Sequence, residues 1–220
     1  MSVTNNLERL YLEIPSNVKI VAVSKTMPVD RILEAYHTGH RIFGENKAQE
    51  LINKQPFLPE DIRWHFIGHL QTNKVKYIAP FVDMIESVDS LKLLQEINKQ
   101  AEKHGRIIKC LIQFHIATEE TKFGLDLEEA ELLLNGRENT GIKNISLNGV
   151  MGMASLTDDE ALIRREFRNL KSVFNHLKNK FFKERPEFCE ISMGMTGDYR
   201  IAIEEGSTIV RIGTGIFGKD

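Results

Sequence analysis

Short apolar runs recur along this chain, each followed by a polar or glycine-bearing loop and then by a stretch with apolar residues at helical spacing. An opening helix, roughly Val3 to Ile14, sets Leu7, Leu10, Tyr11 and Ile14 on one face and stops at Pro15. The first strand is Lys19–Ser24, with a helix from about Pro28 to His37, and the second is Arg41–Gly44, with a helix starting near Asn46. The third is Arg63–Ile67, ahead of a helix beginning near Thr72. The fourth is Asp83–Ser87, ahead of a helix from about Ser90 to His104. Asp89 or Ser90 can cap that helix, and Gly105 stands where a terminating glycine belongs. The fifth strand is Ile107–Ile116, and Asp126 caps the helix after it. The sixth is Ser146–Met151, and its helix, about Asp158 to Phe182, aligns Leu162, Phe167, Leu170, Val173, Phe174, Leu177 and Phe181. The seventh is Phe188–Ile191, with a helix from about Asp198 to Glu205, and the eighth is Thr208–Ile212.

Eight strand–helix units in 220 residues predict an α/β fold: a single (β/α)8 TIM barrel with an extra N-terminal helix. An open doubly wound sheet is the competitor, but it usually carries about five or six strands and a glycine-rich dinucleotide fingerprint, which is missing after the first strand here. No linker or low-complexity stretch divides residues 1–220, so one domain is expected.

Composition changes little in that picture. With 41% hydrophobic and 27% charged residues the chain reads as globular. Its 29 basic and 31 acidic residues are interspersed, so nothing resembles a phosphate-neutralising stripe and nucleic acid is not an expected partner. No apolar run approaches the roughly 18 residues of a membrane span, and the N-terminus lacks the basic and apolar regions of a signal peptide. Cys110 and Cys189 each sit in a short apolar stretch and read as buried free thiols, which suits a reducing cytoplasm.

In a barrel of this kind the active site is built at the C-terminal ends of the strands. Lys25 stands there, directly after Ile20-Val21-Ala22-Val23-Ser24. From position alone it is either a rim lysine with its ammonium in water or an amine whose low-dielectric surroundings make it a nucleophile for an aldehyde. The far end of the chain supplies a second signal. Phosphate sites in these barrels commonly use the loops after strands seven and eight. Those loops are Ser192-Met193-Gly194-Met195-Thr196-Gly197-Asp198 and Arg211-Ile212-Gly213-Thr214-Gly215, both rich in glycine and hydroxyl groups. The first runs into a helix, whose free N–H groups favour an anion. Either loop alone is compatible with an ordinary turn; both, across the barrel mouth from a lysine, suit a phosphorylated aldehyde.

Four segments extend the signal: Val23-Ser24-Lys25-Thr26, Phe43-Gly44-Glu45-Asn46, the run from Trp64 to Lys74 (WHFIGHLQTNK) and the run from Gly206 to Thr214 (GSTIVRIGT). Together they resemble the pyridoxal phosphate homeostasis proteins, the YggS/PROSC family, over about Val18 to Gly218. The resemblance implies a barrel like the N-terminal domain of alanine racemase, with pyridoxal 5'-phosphate (PLP) held as a Schiff base on Lys25. It further implies that Ser192, Thr196, Gly213 and Thr214 surround the phosphate, with Met193 and Gly194 in the same loop. Arg211 is expected to face the pyridine nitrogen, and Asn46 to lie near the cofactor. A guanidinium gives up no proton at physiological pH, so the ring would be a weak electron sink. Two positions depart from the family pattern: Lys47 stands where relatives often have tyrosine, and Phe123 fills the middle of Lys122-Phe123-Gly124.

His65 and His69 lack the arrangement of a metal-binding helix and read as packing or hydrogen-bonding residues, so no metal is expected. Glu45 is a strand-end carboxylate, equally explained by a rim ion pair or a cofactor-side role. Racemases of related fold carry a second, β-rich domain with a catalytic tyrosine. This chain ends within a few residues of its last strand, so that domain, and with it the second acid–base partner, is expected to be absent. The expected function is therefore a non-catalytic, monomeric PLP carrier that stores, buffers or delivers the cofactor, with PLP-dependent apo-enzymes as possible recipients. The alternatives are a low-activity amino-acid racemase using the same lysine, or a cofactor-free Schiff-base aldolase.

Overall fold

Period-two alternation decides what each strand residue meets. Along β1 (Lys19–Val23), Ile20 and Ala22 join the core between sheet and helices, whereas Val21 belongs to an inner cluster with Ile42, Met84, Leu111, Met151 and Ile209. That division recurs on most strands of the sheet in the computed structural model, which describes residues 2–118, 123–138 and 141–218. The remaining strands are β2 (Ile42–Glu45), β3 (Arg63–Phe66), β4 (Met84–Val88), β5 (Ile108–Phe114), β6 (Ile145–Gly152), β7 (Glu190–Ser192) and β8 (Ile209–Ile212). All pair in parallel and in chain order, and β8 closes on β1 through Lys19↔Ile209 to Ala22↔Ile212. The sheet is thus buried on both faces, by helices outside and by its own side chains inside.

The helices are α1 (Val3–Glu13), α2 (Val29–His37), α3 (Ala48–Lys54), α4 (Thr72–Ile78), α5 (Leu91–Lys103), α6 (Leu127–Glu138), α7 (Glu160–Phe181), α8 (Tyr199–Glu204) and α9 (Thr214–Phe217). Side-chain caps set several starts. Ser2 accepts from Asn5 N, Ser90 from Leu93 N, and Asp159 from both Ala161 N and Leu162 N. Asp126 and Glu129 form a reciprocal capping box at α6. Gly105 follows α5 with φ of 61°, the left-handed conformation that glycine adopts without steric cost. The extra helix α1 packs on α2 and α9, and Asn6 donates to the Ile216 carbonyl at 2.8 Å.

The sequence pattern is displaced in a few places. Cys110 is buried as expected, but Cys189 is exposed. β7 starts only at Glu190, so Cys189 lies on the approach to the strand, outside its apolar flanks. Phe188, read as the first residue of that strand, instead stacks on Phe182 and Phe174 outside the barrel. Ile107 lies before β5 and is exposed. On α7 the buried stripe takes Ile163 rather than Leu162, and it admits Glu166, whose carboxylate accepts from the Thr118 and Ser155 backbones. No helix among the described residues is long and apolar enough to cross a membrane.

Candidate functional site

The C-terminal ends of the strands surround a cavity of about 390 Å³, within the size range of small-ligand sites. Strand-end residues Val23 and Arg211 form part of its wall, Lys25 and Asn46 follow β1 and β2, and Ile67, Gly68 and Met153 follow β3 and β6. Met195, Thr196, Gly197, Gly213 and Thr214 complete it from the last two loops.

Lys25 keeps the inward phase of Val21 and Val23 and extends it past the strand end. Its backbone is clamped by α3. Lys54 Nζ donates to the Ser24 carbonyl at 2.9 Å, and Glu50 accepts from Thr26 N at 2.9 Å. The turn places Thr26 at φ of 66°, an outlier for a β-branched residue and a sign of local strain held by its surroundings. Behind it, Glu45 accepts from the Ser24 hydroxyl at 2.7 Å and pairs with Lys54 at 2.9 Å. Burial pushes the Glu45 carboxyl above the usual carboxylate range, with these two partners pulling against it. Glu45 is therefore a support of the lysine turn, paired at the rim and absent from the cavity wall. The Lys25 amine itself is exposed and has no hydrogen-bond or ion-pair partner among the described residues.

Opposite the lysine, the two glycine–hydroxyl loops are tied together. Gly215 N donates to Thr196 Oγ1 at 3.2 Å, and Arg211 N donates to the Gly194 carbonyl at 2.9 Å. The N–H groups of Thr196, Gly197, Gly213 and Thr214 make no hydrogen bond to the described chain. Four unpaired donors around one recess form a concavity suited to an anion. Asn46 adds a buried Oδ1 with no partner, and a buried acceptor left unpaired is costly unless something donates to it.

Not every loop residue singled out in the sequence reaches this cavity. Met193 is fully buried in the outer core. Gly194, at φ of 95°, lies against α8, where an added Cβ would meet the Ala202 Cβ at 2.5 Å. Ser192 points into the barrel, where its hydroxyl donates to Glu86 Oε2 at 2.5 Å and accepts from Arg211 Nη1 at 2.5 Å. Met195 and Gly197 stand in the wall instead. Glu86 had no motif to mark it in the sequence; the only signal is a carboxylate in the middle of an apolar strand. Burial alone would push it up, but the hydrogen bond from His65, the charges of His65 and Arg211 and the Ser192 hydroxyl hold it below the usual carboxylate range. Burial lowers the Arg211 guanidinium, with Glu86 and Asp198 opposing that shift.

The two histidines separate. His65 is buried and bonds Glu86 through Nδ1 at 2.6 Å. His69 lies on the rim, pairs with Asp89 at 3.0 Å and stacks on Phe123 with ring centroids 4.4 Å apart. Phe123 thus belongs to the rim, whereas Lys122 of the same motif lies outside the described residues. Lys47 is exposed and 3.8 Å from Glu50. Among the described residues no group of three His, Cys, Asp or Glu side chains is placed to hold a metal ion.

The sequence profile of the alanine racemase N-terminal domain matches residues 2–220. A pyridoxal phosphate homeostasis protein of Aquifex aeolicus is 38% identical, over 91% of this chain and 86% of its own length. One from Homo sapiens is 37% identical over 91% of this chain and 76% of its own. The structure is similar to that of PipY from Synechococcus elongatus, solved with PLP bound, at 32% identity and a TM-score of 0.87, covering 99% of this chain and all of that one. Alanine racemase of Clostridium difficile shares the fold at 14% identity and a TM-score of 0.80, with this chain spanning 60% of its length.

Proposed function

The chain belongs to the alanine racemase N-terminal domain family and, within it, to the pyridoxal phosphate homeostasis proteins, and from that premise we propose that it binds PLP at the barrel mouth and serves PLP homeostasis by storing, buffering or delivering the cofactor. One observation carries this reading. A lysine amine without a partner and four backbone N–H groups without acceptors meet in one cavity of about 390 Å³. Bound there, PLP supplies an aldehyde carbon for an amine and a phosphate for a cradle of donors.

In this proposal Lys25 holds the cofactor as a Schiff base, with its backbone kept in place by Lys54 and Glu50. Thr196, Gly197, Gly213 and Thr214 donate N–H groups to the phosphate, and Asn46 offers its unpartnered Oδ1 to a donor. Arg211 serves the ring nitrogen. It donates hydrogen bonds but surrenders no proton at physiological pH, so it withholds the ring proton that strong electron-sink catalysis uses. That argues for a carrier over a fast enzyme. We extend the proposal to a barrel that acts as one domain and as a monomer in the cytoplasm, with PLP-dependent apo-enzymes as recipients. The free Lys25 amine also supports a second reading, slow racemisation with Lys25 as the base.

Purified protein mixed with PLP should develop a visible absorption band that borohydride traps, and Lys25→Ala should lack it. The same band in Lys25→Ala would remove the central claim. Robust turnover of L-amino acids that disappears in Lys25→Ala would replace the carrier with the racemase.

A further inference from the structure

A carboxylate inside a barrel is expensive unless it is paired and hydrogen-bonded. Glu86 is fully buried on β4, yet neither of its oxygens is left over. Oε1 meets His65 Nδ1 from β3 at 2.6 Å, and Oε2 accepts from the Ser192 hydroxyl of β7 at 2.5 Å. Ser192 in turn accepts from Arg211 Nη1 of β8 at 2.5 Å, while Arg211 Nη2 donates to the Gly152 carbonyl at 2.9 Å. The direction of this chain is forced. An ionised carboxylate only accepts and a guanidinium only donates, so the single Ser192 proton must point at Glu86 and its lone pair at Arg211. Glu86 and Arg211 are 3.9 Å apart and touch only through that hydroxyl. Behind Glu86, His65 Nε2 faces Asp83 at 3.9 Å, and Asp83 pairs with Lys109. Asp198 is the other carboxylate that acts on Arg211.

A direct, forked carboxylate–guanidinium pair would tie up two Arg211 N–H groups on one carboxylate. The interposed hydroxyl and the Gly152 carbonyl instead fix the guanidinium at two separated nitrogens, and its other N–H groups make no bond to the described chain. Arg211 is only 3% exposed, yet it forms part of the cavity wall. We propose that Glu86 and Ser192 are positioning residues for Arg211, fixing how its guanidinium is aimed at the cofactor ring and how much positive charge the ring experiences. This rests on the PLP reading of the cavity. His65 completes the chain by holding the second Glu86 oxygen.

The test is an absorbance and fluorescence pH titration of PLP-loaded wild type, Glu86→Gln and Ser192→Ala, with PLP affinity measured alongside. Glu86→Gln keeps the shape and removes the charge, so the full positive charge of Arg211 would face the bound chromophore. Its protonated form would be disfavoured, and the titration midpoint should fall by on the order of half a pH unit or more. Ser192→Ala releases Nη1 and should move the band position and weaken PLP binding several-fold. Neither shift follows from loss of packing alone. Ser192→Ala removes a single oxygen, so it keeps the test open if Glu86→Gln folds poorly. A loaded wild type with both variants unchanged in band and midpoint overturns the inference and leaves the PLP reading standing. A wild type that develops no band overturns both.

Discussion

Gly68→Ala adds one methyl group at the mouth of the barrel, in a place where the backbone leaves no room for it. A Cβ at Gly68 would lie 2.2 Å from the Asn46 carbonyl oxygen and 2.8 Å from its C and Cα, inside the 3.0 Å that Cβ atoms keep. The obstacle is backbone, so no rotamer change relieves it. Either the β3–α4 loop or the turn after β2 must move, by on the order of 1 Å, a displacement large enough to take a binding constellation out of register. Overpacking of this kind costs about 1–3 kcal/mol, which for a chain of this size lowers Tm by roughly 2–12 °C. Asn46 carries its unpartnered Oδ1 on the displaced turn, so PLP should bind at least about tenfold more weakly, the equivalent of about 1.4 kcal/mol. Urea melts followed by circular dichroism give the first number, and fluorescence titration with PLP gives the second. Gly197→Ala is the control. It makes the same chemical change in the same cavity wall, but the new Cβ meets nothing within 4 Å, so stability should stay within about 0.5 kcal/mol. A Gly68→Ala protein with wild-type urea midpoint and wild-type PLP affinity would show that the Gly68–Asn46 contact constrains nothing.

Other consequences can be checked directly. Glu86→Ala strands a buried guanidinium and should cost about 3–5 kcal/mol near pH 7. Because the folded Glu86 is held below its ordinary range, its stabilisation is present above its unfolded pKa of about 4.3 and is lost as pH falls through the folded value. The gap between wild type and Glu86→Ala should therefore narrow in urea melts below about pH 4; an equal gap at both pH values would contradict this. Thr26→Asn should raise stability by about 0.5–1 kcal/mol, since asparagine tolerates the left-handed conformation that costs a β-branched residue more. A clear loss of stability in the same urea assay would mean that Thr26 is not strained.

How much of this was legible in the chain depended on how local the determining physics is. The eight strands, the helices between them and the caps at Ser90 and Asp126 follow from periodicity and from side chains that bond their own neighbours. The parallel barrel followed from the same alternation, because a helix between two strands carries the chain back to the end where the previous strand began, so that the next strand runs parallel beside it. Lys25 and the two glycine–hydroxyl loops were recognisable because each occupies a strand end, a position fixed by its own segment.

What the chain could not express was which residues meet across the barrel. Ser192 and Thr196 look equivalent in one loop, yet strand phase sends Ser192 inward to Arg211 and Glu86, while Thr196 bridges to Gly215 beside the cavity. Glu45 and Glu86 are both carboxylates in apolar strands. α3 supplies Lys54 to one, and β3, β7 and β8 supply His65, Ser192 and Arg211 to the other. Cys189 looked buried because it falls inside the strand read from Phe188 to Ile191, and the late start of β7 left it outside. Local sequence set the strands and the loops, whereas barrel closure set the partners. Some of those contacts join positions more than a hundred residues apart, as with Glu86 and Ser192, and side-chain periodicity carries no information about such pairs.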